Sequence, residues 1–92
     1  MPESTISGGW TTFSCQLTKE ASQVFETAFK DFVGVVYSPV AFATQVVSGT
    51  NYSFFCNAKP VYPNAPNQAA MVNIYQPIEG PPHITGIRSI RD

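Results

Sequence analysis

Few residues in this 92-residue chain could act on a substrate. His83 is the single histidine, and Cys15 and Cys56 are the only cysteines. General-base catalysis needs an imidazole held by a partner. His83 follows Pro81 and Pro82 at the start of a strand-like segment, where a surface position is expected. A zinc site needs several His, Cys or acidic ligands at set spacing. Cys15, Cys56 and His83 fall on separate segments, so no metal is expected. Neither cysteine has an adjacent activating residue, and both read as half-buried thiols. Glu20 and Glu26 are six residues apart on one helical segment, so they diverge and do not form a carboxylate pair. No Gly-rich loop precedes a helix, which removes the usual phosphate cradle. The chain is therefore expected to be non-catalytic and to carry no cofactor.

The elements that would position these residues follow from the pattern of types. Residues 1 to 9 are small and polar, end in Gly8-Gly9, and predict a mobile arm. Trp10 to Leu17 reads as a short extended segment. Thr18 is a good N-cap, with Glu20 in the first turn where the helix dipole favours a carboxylate. Ala21, Val24, Phe25, Ala28, Phe29 and Phe32 recur at helical spacing and predict about four turns, with Val24, Phe25, Ala28 and Phe32 facing a sheet. Gly34 sits where a left-handed C-terminal residue is wanted.

Beyond Gly34 the period changes to two. Val40 to Val47 predicts a strand, Ser48 to Asn51 a turn, and Tyr52 to Ala58 the next strand. Pro60 to Asn67, with three prolines and two asparagines, predicts a loop. Ala69 to Tyr75 and His83 to Ile90 predict two more strands, joined by a turn at Pro77 to Pro82. Short connections imply an antiparallel meander, and the apolar stripe of the helix must lie across it.

Composition agrees with one small domain over residues 1–92. Hydrophobic residues make up 43% and charged residues 12%, with five Lys+Arg against six Asp+Glu. No basic cluster exists to bind nucleic acid. No apolar run approaches the roughly 18 residues of a membrane span. Met1 to Thr5 lacks a basic region followed by an apolar stretch, so a cytoplasmic location with free thiols is expected. A leader removed beforehand would leave no trace, so secretion and a bridged Cys15–Cys56 pair stay open.

The remaining feature is the hairpin Gln45-Val46-Val47-Ser48-Gly49-Thr50-Asn51-Tyr52, whose tip is uncharged, small and partly apolar. One reading is a plain chain reversal at Ser48-Gly49. The other is an apolar wedge that enters another protein's cleft.

QVVSG resembles the central Gln-x-Val-x-Gly hairpin motif of the cystatins, inhibitors of papain-like cysteine proteases. The TNY that follows resembles the continuation in the cytosolic stefin branch. A Gly pair, one helix, the motif hairpin and a later hairpin come in the cystatin order over nearly the whole chain. The resemblance implies an α+β fold, a four- to five-stranded antiparallel sheet wrapped around one helix. It also implies a reversible, competitive inhibitor with a three-part protease-binding edge. Gly8 and Gly9 would lie along the non-primed subsites, and Gln45, Val46, Val47, Ser48 and Gly49 would enter the cleft. Ile78, Pro81 and Pro82 of the second hairpin would touch the primed side. That hairpin departs from the family, lacking the Pro-Trp of secreted cystatins and the Leu-Pro of stefins. Plant cystatins carry Leu-Ala-Arg-Phe-Ala where this chain has Ala21 to Phe25. An interaction module that keeps the fold without inhibition is the alternative. A pocket enzyme or ligand-binding protein is disfavoured, because such a pocket needs a longer chain and converging polar groups. A monomer is expected, with hairpin exchange at Val46-Val47 as a route to a dimer.

Overall fold

The computed structural model describes residues 9–90. One helix, α1 (Lys19–Ala28), precedes four strands: β1 (Val35–Val47), β2 (Gly49–Pro60), β3 (Gln68–Gln76) and β4 (His83–Ile90). The strands form one antiparallel sheet in the order β1-β2-β3-β4. This is an α+β meander in which each strand pairs with its neighbour in the chain.

The helix starts as its sequence dictates. The Thr18 hydroxyl accepts from the Ala21 N–H at 3.0 Å, and Glu20 lies in the first turn. Its end differs from expectation. The helix stops at Ala28, and a tightened turn follows, with the Phe32 N–H donating to the Phe29 carbonyl at 2.9 Å. The cause is tertiary. Phe29 and Phe32 both turn onto Tyr37 of β1, with ring centroids 5.3 and 5.7 Å away. Phe32 thus faces the sheet as its spacing predicts, but it remains 40% exposed and belongs to the rim of the core. Gly34 does have a positive φ of 100°, but it lies well past the helix, whose C-cap is Phe29. Gly34 instead begins the approach to β1, and its carbonyl accepts from the Val61 N–H at 3.1 Å.

The core lies between α1 and the helix-facing side of β2 and β3. Ala21, Val24 and Phe25 meet Tyr52, Phe54, Cys56, Val72 and Ile74. The Phe25 ring contacts Phe29 at 4.5 Å and Phe54 edge-on at 4.9 Å. Ala28 is partly buried against the same cluster.

β1 begins five residues earlier than the sequence suggests. Pro39 looks like a barrier to a strand, yet β1 is an edge strand, where the missing N–H costs no ladder bond. The register shifts between Pro39 and Ala41. This bulge lets both Tyr37 and Phe42, an odd number of residues apart, pack on the helix side. β2 and β3 extend a little beyond their expected bounds, and β4 spans the expected residues. No fifth strand forms among the described residues. Two isolated bridges, Trp10↔Gln45 and Ser14↔Phe42, run the upstream segment along the β1 edge instead.

Candidate functional site

The β1–β2 hairpin ends in a single residue. Gln45 pairs with Asn51, Val46 with Thr50 and Val47 with Gly49, leaving Ser48 alone at the tip. The turn expected over Ser48 to Asn51 is thus shorter, because Gly49 already belongs to β2. Gly49 closes it with φ of 96°. A Cβ there would sit 2.5 Å from the Gln76 carbonyl oxygen and 2.8 Å from the Tyr75 hydroxyl. Glycine is needed twice over, for its backbone angle and for the approach of β3. Val46 is 55% and Val47 39% exposed, so the apolar side chains next to the tip meet solvent. Behind them the Asn51 Nδ2 donates to the Gln45 Oε1 at 2.8 Å.

The other two expected segments flank this hairpin. On the β1 side Trp10 bridges Gln45, the Thr11 N–H donates to the Thr44 carbonyl at 2.9 Å, and the Thr44 N–H donates to the Thr11 hydroxyl at 3.0 Å. Gly9 immediately precedes Trp10, the residue that pairs with the first motif residue, while Gly8 lies outside the described residues. On the β2 side Thr50 pairs with Gln76, so the second turn leaves the sheet beside the first. The Gln76 Nε2 closes that turn by donating to the carbonyls of Pro77 at 3.0 Å and Gly80 at 2.9 Å. Ile78 projects from it, 77% exposed. Pro81 and Pro82 are placed differently from Ile78. They line, with Thr27, Lys30, Asp31 and Phe32, a hollow of about 440 Å³ at the helix end.

One end of the sheet therefore carries Gly9 and Trp10, Gln45 to Gly49, and the turn after Gln76, side by side. Glu79 is the one charged residue in these segments. Two members were not anticipated. Trp10 stands 46% exposed beside Gln45, and Tyr75 donates its hydroxyl to the Ser48 carbonyl. A tryptophan directly after a Gly pair was a signal for the first. Tyr75 gave none, since a strand-ending tyrosine is ordinary.

The thiols lie apart from this end. Cys56 is fully buried in the core, with its Sγ 3.7 Å from the Phe54 carbonyl, and burial pushes its pKa up to about 12. A thiol held protonated and out of reach is no nucleophile. Cys15 is exposed ahead of the helix, and both cysteines are free. The His83 and Tyr75 rings meet in a T-shaped arrangement with centroids 5.7 Å apart. Among the described residues, no three His, Cys, Asp or Glu side chains gather where they could hold a metal. No helix among those residues is long and apolar enough to cross a membrane. No protein-family model matches the chain, and no curated protein matches it.

Proposed function

We propose that this chain has a cystatin-like fold and acts as a reversible, competitive inhibitor of papain-like cysteine proteases. The observation that carries the reading is the alignment of three segments at one end of the sheet. The Gln45–Gly49 hairpin stands between the Gly9-Trp10 segment and the turn after Gln76. Such an edge acts by occlusion, without bond making. Val46 and Val47 displace water from a cleft, and a tip held by paired strands loses little entropy on docking. Gly9 lets the backbone pass close to a cleft wall. Ile78 supplies an apolar contact on the other flank.

The second reading is an interaction module with the same fold that docks without inhibiting. The placement of Pro81 and Pro82 against the helix end favours it, because they then add little to the third contact. Titrating papain with the purified chain separates the two. The inhibitor raises the apparent KM and leaves the maximal rate unchanged.

Val47→Asp sharpens the test. An unpaired carboxylate in a water-excluded cleft costs several kcal/mol, on the order of a hundredfold or more in affinity. Val47 flanks the tip and is partly exposed, so the free fold should lose only about 0.5 kcal/mol. Binding lost with Tm kept is the expected result. Unfolding of the variant would make Val47 a core residue, and unchanged inhibition would remove the wedge.

A further inference from the structure

One row of side chains crosses the candidate edge. Trp10 pairs with Gln45, Gln45 with Asn51, Asn51 with Tyr75, and Tyr75 with His83. Residues opposed in register share a face of the sheet. From its place in this row, Tyr75 reaches past Gly49 and donates its hydroxyl to the Ser48 carbonyl. The path is open because Gly49 has no side chain. A Cβ would lie 2.8 Å from the Tyr75 hydroxyl oxygen and 3.1 Å from its Cε1. Ring contact with His83 at 5.7 Å backs Tyr75 from the other side. A β3 residue thus grips the turn between β1 and β2, which is distant in sequence.

We infer that Tyr75 is a positioning residue that fixes the single-residue turn through the Ser48 carbonyl, presenting Val46 to Gly49 to a protein cleft in one conformation. The docking half of this inference rests on the function proposed above. The physical reason is order. The tip of a hairpin is where a sheet opens first, with a local free energy far below that of the core. A turn already held in place loses less conformational freedom on docking, so the contact made by Tyr75 appears in affinity more than in stability. Tyr75 need not touch the partner to do this.

The test is Tyr75→Phe in the full chain, which keeps the ring and removes the donor. Amide hydrogen exchange and papain inhibition are measured together. Exchange at Val47, Gly49 and Thr50 should rise about tenfold, with the rest of the sheet unchanged, as loss of one hydrogen bond predicts. The inhibition constant should rise by a similar factor, carried by faster dissociation. Unchanged exchange at the turn overturns the inference. So does exchange raised evenly through the sheet with a lower Tm, which makes Tyr75 a general packing residue. Faster exchange at the turn with an unchanged inhibition constant overturns the docking half. If the unaltered chain does not inhibit papain, the protease reading fails, and the exchange measurement still decides whether Tyr75 holds the turn.

Discussion

Gly49 and Gly34 share a positive φ, 96° and 100°, but only Gly49 is crowded. Any L-residue at either position adopts a sparsely populated backbone region, at about 1–3 kcal/mol. Nothing lies within 4 Å of a Cβ built on Gly34, whereas one on Gly49 strikes the Gln76 carbonyl. Gly49→Ala should therefore lower the urea midpoint clearly more than Gly34→Ala, and equal losses would show that β3 gives way. Cys56 makes a second residue-scale prediction. Its pKa is raised by burial from 9.0 to about 12, so between those values the unfolded chain has lost the proton that the native chain keeps. The contribution of the thiol is complete below about pH 9 and is lost as pH rises toward 12. Tyr52, raised from 10.0 by burial and then by Glu20, acts in the same direction. Urea midpoints should fall above about pH 9, less steeply in Cys56→Val. Iodoacetamide should label Cys15 in the native protein and reach Cys56 only after unfolding.

At the scale of elements, α1 holds the sheet through one side chain above the others. Phe25 is buried against Phe54 and Phe29, while Phe32 lies at the rim beyond the helix end. Phe25→Ala should cost roughly 3–5 kcal/mol by opening a cavity. Phe32→Ala should cost about 1 kcal/mol, since part of its surface is already wet. Denaturant midpoints of the two variants check the ranking, and a larger loss at Phe32 would place the core toward β1. The helix spacing was legible in the sequence, and so was Thr18 as its cap. Its length was not. Phe29 and Phe32 continue the apolar stripe in sequence, but Tyr37 draws both rings toward β1 and the chain leaves the helix to follow. The bulge at Pro39 was hidden for a related reason. An alternating pattern cannot show where its own phase slips, and the slip is visible only against Cys56 and Phe55 of the paired strand.

At the scale of the whole molecule, the candidate edge joins segments from both ends of the chain. Residues 10–14 are tied to β1 by backbone bonds that begin at Trp10 and Thr11. Deleting residues 1–9 should leave those bonds and the Tm in place, because a polar Gly-rich terminus buries little. The same deletion should weaken binding to papain, since the Gly8-Gly9 part of one of three contact segments is gone. Unchanged affinity would leave the two hairpins as the whole interface, and a large fall in Tm would give the terminus a structural role.

The meander, the capped helix and the apolar hairpin tip were set by the sequence alone. Each is written in spacings of a few residues: period two over Tyr52 to Ala58, helical spacing over Ala21 to Phe29, and small uncharged residues around Ser48. Tertiary structure decided what lies beside the tip. Trp10 comes to rest against Gln45, thirty-five positions on, because β1 is the edge strand of the sheet and the upstream segment pairs along it. Tyr75 reaches Ser48, twenty-seven positions back, because the β2–β3 register delivers it there and Gly49 leaves the way clear. Contacts over such distances depend on strand register, and register is a property of paired strands that no single stretch of chain contains.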